Sequence, residues 1–221
     1  MTTSAFHDTF STDGWIRRFA QSVDNVKDRL TSLDQEVGDG DFGLNLSTGA
    51  HSTLRHLDAT PASRTGPAAP LQAAAAAFLD EVGGTSGPLF GLLFQSLAVA
   101  VADAGAASTT ALAAGATDGL AAIRRVGDAA PGDKTLVDAL GPAAEALRTA
   151  PADTPPAEAL GRAADAAWAG VSETARLRAR MGRSSYVGER AEGVPDPGAV
   201  GIGLFFASAR TVVDDLSTRL G

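Results

Sequence analysis

"WIRRFAQSVDNVKDRLTSLDQEVGDGDFG" (residues 15–43) places apolar side chains at Trp15, Phe19, Val23, Val26, Leu30 and Leu33, at steps of four and three. That spacing is the stripe of an amphipathic α-helix with one buried face. The stripe runs straight into a turn that holds Asp34, Asp39 and Asp41, with Gly38, Gly40 and Gly43 between and after them. The helical period dominates the rest of the chain as well. It predicts helices over 42–57, 71–82, 86–105, 108–126, 135–149, 157–176 and 198–219, eight with the first. In the second, Leu44, Thr48 and Leu54 are expected on one side, with Arg55 and His56 facing water; the last carries Ile202, Phe205, Phe206, Val212, Val213 and Leu216.

The breaks read "GGTSGP", "AGAAS", "GDAAPGD", "APADTPPA" and "GVPDPG", each rich in Gly or Pro, where helices stop. "DATPASRTGPAAP" (58–70) reads as a further loop. Strand signals are almost absent, so the fold class expected is all-α, as one domain over 1–221. Helices of similar length with short connections pack mostly antiparallel, which brings alternate loops to the same end of a bundle. The first, third, fifth and seventh loops then meet: the acidic turn, "GGTSG", "GDAAPGDKT" and the Gly- and Arg-rich stretch 182–198.

Composition narrows the function. The 221 residues are 44% hydrophobic and 20% charged, as in a soluble globular protein, with a net charge of −8. That balance argues against a nucleic-acid surface, which needs clustered Lys and Arg. A polyphosphate can still bind locally where metal ions or backbone N–H groups supply positive charge. The absence of cysteine excludes disulfides and thiolate metal sites. "MTTSAFHDTFSTDGW" (1–15) has neither a basic n-region nor an apolar h-region, and no apolar run approaches a bilayer span without interruption. The expectation is a cytoplasmic protein with no membrane segment.

Four stretches carry chemistry. Asp34, Asp39 and Asp41, in the pattern D-x4-D-x-D, repel one another unless a cation lies among them, and oxygen-only donors suit a hard ion such as Mg²⁺. The alternative is that these residues cap helices and form turns. An EF-hand does not fit, because its spacing and its Glu at the twelfth position are missing. In "GGTSGPLFG" (83–91), Thr85 and Ser86 precede an apolar helix whose first N–H groups form an anion site, or they are ordinary caps. "GDAAPGDKT" (127–135) has the G-x4-G spacing of a phosphate-binding P-loop, but Asp133 intervenes before Lys134 and no strand precedes it. A capped helix start, with Asp133 or Thr135 near the N-terminus, is the simpler account. "ARMGRSSYVGERAEGVPDPGA" (179–199) concentrates Arg180, Arg183 and Arg190 before the turn Asp196-Pro197-Gly198; an arginine here can pair with phosphate or stand in solvent. His7, His51 and His56 form no ligand set.

Together "LDQEVGDGDFGLN", "GGTSGPLFG", "PGDKTLVDAL" and "GRSSYVGERAEGVPDPGA" resemble, in order, the motifs of the DhaL-type nucleotide-binding subunit of dihydroxyacetone kinases, from about residue 10 to the C-terminus. The resemblance implies a closed barrel of eight antiparallel helices with ADP or ATP at one end. A pair of Mg²⁺ ions is then held by Asp34, Asp39 and Asp41. Nucleotide contacts carry over to Phe42, Gly43, Leu44, Asn45, Thr85, Ser86, Gly127, Leu136, Arg183, Asp196, Pro197 and Gly198. It implies a catalytic set of Asp34, Asp39, Asp41 and Arg183. It also implies a DhaK-like partner subunit holding a small hydroxy-ketone, with free ATP or a phosphotransferase-system protein as the phosphate source. One departure is visible: the family's GDGDHG reads GDGDFG here, so Phe42 replaces an imidazole. The alternatives within the resemblance are a kinase subunit for another triose, a tetrose such as erythrulose or a fatty acid, and a non-catalytic nucleotide-binding regulator.

Overall fold

The computed structural model describes residues 10–59 and 66–220, except for the side chains of 187, 189 and 190. His7, the middle of the 58–70 loop and the Arg190 side chain thus lie outside the described residues. Eight long helices and no strand are present among the described residues: α1 Thr12–Val37, α2 Phe42–Ala59, α3 Ala69–Glu81, α4 Ser86–Ala104, α5 Thr109–Gly127, α6 Val137–Thr149, α7 Pro156–Thr174 and, after a one-turn helix α8 Ser184–Val187, α9 Pro197–Ala207. A last turn, α10, covers Ser217–Leu220.

Each long helix packs against the next, and α9 packs against both α7 and α1, so the ring closes. The connection between α1 and α2 is only residues 38–41, which forces the two helices antiparallel. Helix α1 begins with a capped turn, the Ser11 hydroxyl accepting from the Gly14 N–H, and buries the stripe Trp15, Phe19, Val23, Val26, Leu30 and Leu33. Helix α9 is apolar on every side, with Ile202, Leu204, Phe205 and Phe206 all fully buried, the pattern of a helix surrounded by protein. The seam between these two is held by Trp15. Its indole stacks on Phe205 at a centroid distance of 4.3 Å, and its Nε1–H donates to the Phe205 carbonyl at 2.7 Å. Among the described residues α4 alone is long and apolar enough to cross a membrane. In the barrel its Phe90, Leu93, Phe94, Leu97 and Val101 are fully buried.

Two sequence expectations are corrected. The 198–219 helix ends at Ala207, because the carbonyls of Ser208 and Ala209 accept from the Arg18 guanidinium at 2.8 and 2.6 Å. The Ser22 hydroxyl accepts from the Val213 N–H at 2.9 Å, which ties the following segment to α1. The buried face of α2 is Phe42, Leu46, Gly49, Ala50 and Thr53, whereas Leu44 is 61% exposed and Thr48 faces solvent. Leu44 is two residues from both Phe42 and Leu46, on the opposite side of the 3.6-residue turn.

Trp15→Ala removes the stacked ring and leaves the Phe205 carbonyl without its donor. We expect a loss of about 3–5 kcal/mol, measured by urea denaturation, with the helical circular-dichroism spectrum retained before the transition.

Candidate functional site

The four odd-numbered loops meet at one end of the barrel around a cleft of about 180 Å³. Its walls come from the acidic turn, the start of α4, residues 134–136, residues 181–184 and the Asp196-Pro197-Gly198 turn.

The acidic turn is shaped by two glycines. Gly40 has φ +79°, a left-handed conformation that side chains resist. Gly43 lies so close to α1 that a Cβ there would stand 2.5 Å from the Lys27 carbonyl and 2.9 Å from the Thr31 nitrogen. Together they let α2 start immediately after the turn and fold it back on α1. Asp34, in the last turn of α1, is 9% exposed, and its carboxylate accepts from the Phe42 N–H at 3.0 Å. One oxygen from each of Asp34, Asp39 and Asp41 lies within 4.8 Å of the others. The Arg183 guanidinium contacts the Asp39 carboxylate and lies 3.8 Å from that of Asp41. The cluster thus already draws a cation to itself. With oxygen donors only, and two of the three side chains still accessible to solvent, these residues fit a hard divalent ion such as Mg²⁺.

The other walls are complementary. Thr85 precedes α4 with helical dihedral angles and its side chain makes no cap hydrogen bond, so capping does not account for it. Its hydroxyl and that of Ser86 line the cleft beside the first N–H groups of α4, at the positive end of the helix dipole. Leu89, Leu136 and Met181 contribute apolar surface to the lining. Asp196 caps α9, its carboxylate accepting from the Ala199 N–H at 2.7 Å. Burial pushes its carboxyl up to about 7; the Ala199 bond opposes this, nearby Asp138 and Asp34 add to it, and Lys134 counters them.

Of the residues singled out in the sequence, Asp34, Asp39, Asp41, Phe42, Thr85, Ser86, Leu136, Arg183, Asp196, Pro197 and Gly198 line this cleft. Asn45 and Gly127 stand just behind it: the Asn45 amide lies against Gly84, and Gly127 lies against Leu89. Gly43 serves the α1–α2 approach, and Leu44 points to solvent, so neither lines the cleft. Arg180 turns toward Asp133, at 3.7 Å, with its side chain 68% exposed. His51 pairs with Asp24 at 3.0 Å and His56 with Glu81 at 3.0 Å, both away from the cleft. Phe42 packs its ring toward Phe90, with centroids 6.3 Å apart, beneath the cleft. The contribution of residue 42 to the turn is its backbone N–H, which Phe supplies as well as His.

Leu89 and Met181 line the cleft without being singled out in the sequence, and Lys134 has a place in the fold that the capped-helix reading of its loop did not assign. Leu89 was accessible to pattern, standing one turn after Ser86 on α4; nothing in the sequence marks Met181. Lys134 is 1% exposed, and its ammonium donates to the carbonyls of Thr174, Ala191 and Val194 at 2.8, 2.7 and 2.8 Å. Burial lowers its pKa, which Asp196 and Glu192 partly offset. The cap of the preceding loop is mainly Asp138, whose carboxylate accepts from the Gly132 and Thr135 N–H groups at 2.5 and 2.9 Å, with Asp133 accepting from Ala130 at 2.8 Å.

An all-helical barrel with a cluster of carboxylates facing a helix N-terminus and an arginine has the donor set of a site for a polyphosphate with a hard cation. The comparisons with known proteins narrow it. Residues 36–211 match the DAK2 domain, and the chain belongs to that family. It is 36% identical over 203 residues to the D-erythrulose kinase of Mycolicibacterium smegmatis, covering 90% of this chain and 34% of that protein. It is 34% identical over 189 residues to the ADP-binding subunit DhaL of the PEP-dependent dihydroxyacetone kinase of Escherichia coli, covering 85% of this chain and 89% of that subunit. The crystal structure of the C. freundii dihydroxyacetone kinase superposes with a TM-score of 0.67 at 26% identity, over 94% of this chain and 36% of that one. The chain therefore spans about a third of the single-chain kinases and nearly the whole of the separate subunit.

Asp196 offers a test of the electrostatics in metal-free buffer. Its folded-state pKa of about 7 lies above the ordinary value of 3.8, so the folded protein binds the proton more tightly than the unfolded chain. The stability this confers is fully present below about pH 4 and is lost as pH rises toward about 7, amounting to at most about 4 kcal/mol. Asp196→Asn keeps the cap acceptor and should remove this loss. Urea midpoints of the two proteins, compared at pH 4.5 and 7.5, measure it.

Proposed function

We propose that this chain is the nucleotide-binding, phosphoryl-donor component of a dihydroxyacetone-type kinase, acting on a small hydroxy-ketone held by a DhaK-like subunit or domain. The observation that carries the reading is the convergence of Asp34, Asp39 and Asp41 within 4.8 Å, in a cleft also lined by Thr85, Ser86 and Arg183. Family membership supports it, as do the names of two relatives, an ADP-binding subunit and a kinase of a four-carbon ketose.

In this reading the three aspartates hold Mg²⁺, which when bound neutralises phosphate charge and lets carboxylates and a polyphosphate share one site. The N–H groups and hydroxyls at the start of α4 receive phosphate oxygens. Arg183, 59% exposed and resting on Asp39, is placed to move its charge to a phosphate group. Leu89, Leu136 and Met181 offer an apolar surface for a base. Asp34 does not reorganise: its bond to the Phe42 N–H fixes one oxygen and leaves the carboxylate oriented in advance.

The acceptor is a three- or four-carbon hydroxy-ketone, with dihydroxyacetone and erythrulose as the two candidates that the relatives support. Either ATP or a phosphotransferase-system protein that recharges bound ADP supplies the phosphoryl group.

Calorimetry with ADP and ATP, with and without Mg²⁺, tests the binding. We expect Mg²⁺-dependent binding in the wild type. Asp34→Asn and Asp39→Asn should weaken it by more than the about 10- to 100-fold that removing an outer-shell partner of a metal costs, with unchanged circular dichroism. Full affinity for Mg-ADP in either variant ends the reading. Supplying dihydroxyacetone or erythrulose with a DhaK-like subunit then identifies the acceptor.

A further inference from the structure

Of the 18 lysines and arginines in this chain only Lys27 and Lys134 are lysines. Arginine is used almost everywhere a cation is needed, so the chemistry at residue 134 must ask for something arginine does not give. The structure shows what that is. The Lys134 ammonium sits between three backbone carbonyls, those of Thr174, Ala191 and Val194, at 2.7–2.8 Å. Three N–H donors on one tetrahedral nitrogen satisfy three acceptors that converge on a point. A planar guanidinium spreads its donors in a fork and cannot do so.

The three acceptors lie at the two ends of one segment. Thr174 closes α7, while Ala191 and Val194 stand just before the α9 cap. Between them, loop 175–196 carries Met181, Gly182, Arg183 and Ser184 to the cleft. Two further bonds close the same base: the Gly193 N–H donates to the Ala175 carbonyl at 2.8 Å, and the Asp196 N–H to the Thr174 hydroxyl at 2.9 Å. On its other side Lys134 is continuous with Thr135 and Leu136, which form the facing wall of the cleft. Its backbone is held at φ +62°, a left-handed conformation uncommon for a residue of this kind. One side chain thus ties the wall made by residues 134–136 to both ends of the loop that carries the arginine.

We propose that Lys134 is a positioning residue: it staples the base of loop 175–196, so that Arg183 is presented to the aspartate turn and Asp196-Pro197-Gly198 to Leu136. The staple is a property of the fold; its effect on nucleotide rests on the function proposed above. A long segment with little regular structure keeps its tip in place only if its ends are fixed. Lys134 therefore acts on binding through Arg183 and the α9 turn, without touching the ligand.

The presence of two lysines makes the test direct. Amine-selective reductive methylation of the wild-type protein, followed by peptide mass spectrometry, compares Lys134 with part-exposed Lys27 in one sample. We expect Lys134 to react at least about 100-fold more slowly without nucleotide, and more slowly again with saturating Mg-ADP. In Lys134→Met, tryptic cleavage within 176–183 should accelerate about 10-fold or more, and affinity for Mg-ADP should fall about 10-fold or more, while the aspartates, no longer covered by Arg183, bind Mn²⁺ alone at least as tightly as in the wild type. Lys134→Arg, which restores the charge but not the geometry, should not rescue either property. Lys134 reacting as fast as Lys27 overturns the staple, and does so without any variant having to fold. So does Lys134→Met with wild-type proteolysis and Mg-ADP affinity. If the wild type binds no Mg-ADP while Lys134 is protected and its variant loop is cleaved faster, the functional reading falls and the staple stands.

Discussion

Three carboxylates held within 4.8 Å of one another repel, and everything at this end of the barrel is organised around that repulsion. Glycines at 40 and 43 draw the turn tight against α1, where longer side chains would have let the charges spread. The Phe42 N–H fixes Asp34 from behind. Arg183, carried on a loop from the far side of the cleft, leans on Asp39 and faces Asp41. Because Asp39 and Asp41 remain well exposed, water screens part of the repulsion, which leaves the cluster able both to persist and to exchange its counter-charge.

The barrel makes this arrangement cheap. A ring of consecutive antiparallel helices returns every second loop to the same rim, so residues more than 150 positions apart, such as Asp34 and Asp196, arrive in one cleft without any long connection. The cost of closing the ring falls on α9, which must be surrounded. Its side chains are accordingly apolar all round, and its polar ties to α1 lie near its C-terminal end, among them Trp15, whose indole buries a large face and still satisfies a carbonyl. Rigidity at the α1–α9 seam is transmitted to both sides of the site, since Asp34 lies in the last turn of α1 and α9 begins after Asp196.

Much of this was legible in the residues. The period of Trp15 to Leu33 identified α1, the Gly- and Pro-rich breaks located most helix ends to within a few residues, and the alternation of loops anticipated which segments share an end. What escaped was set by tertiary contacts that no local pattern encodes. The end of α9 is decided by Arg18, nearly 200 residues away, which takes the carbonyls of Ser208 and Ala209 that would otherwise continue the helix through Val212 and Val213. Leu44 is apolar yet outside, because the partner of its helix face is fixed by Phe42 and Leu46. Met181 lines the cleft because the loop base holds it there, and the loop base depends on Lys134.

Lys134 bears on how phosphate motifs are recognised. "GDAAPGDKT" contains the glycine spacing and the lysine of a phosphate-gripping loop, and it does lie at a site lined with phosphate-type donors. Here the lysine faces inward. Its charge is spent on three carbonyls of the protein, and the donors left to the cleft are hydroxyls, N–H groups and an arginine. A P-loop lysine is directed at the phosphates of the ligand; a lysine bonded three times to backbone is fixed before any ligand arrives. The difference is topological: a P-loop follows a strand and wraps the anion, whereas this segment links two helices and must instead brace a neighbouring loop. Similar letters, with one Asp inserted before the lysine, therefore serve opposite ends of the binding problem, contact in one fold and preorganisation in the other.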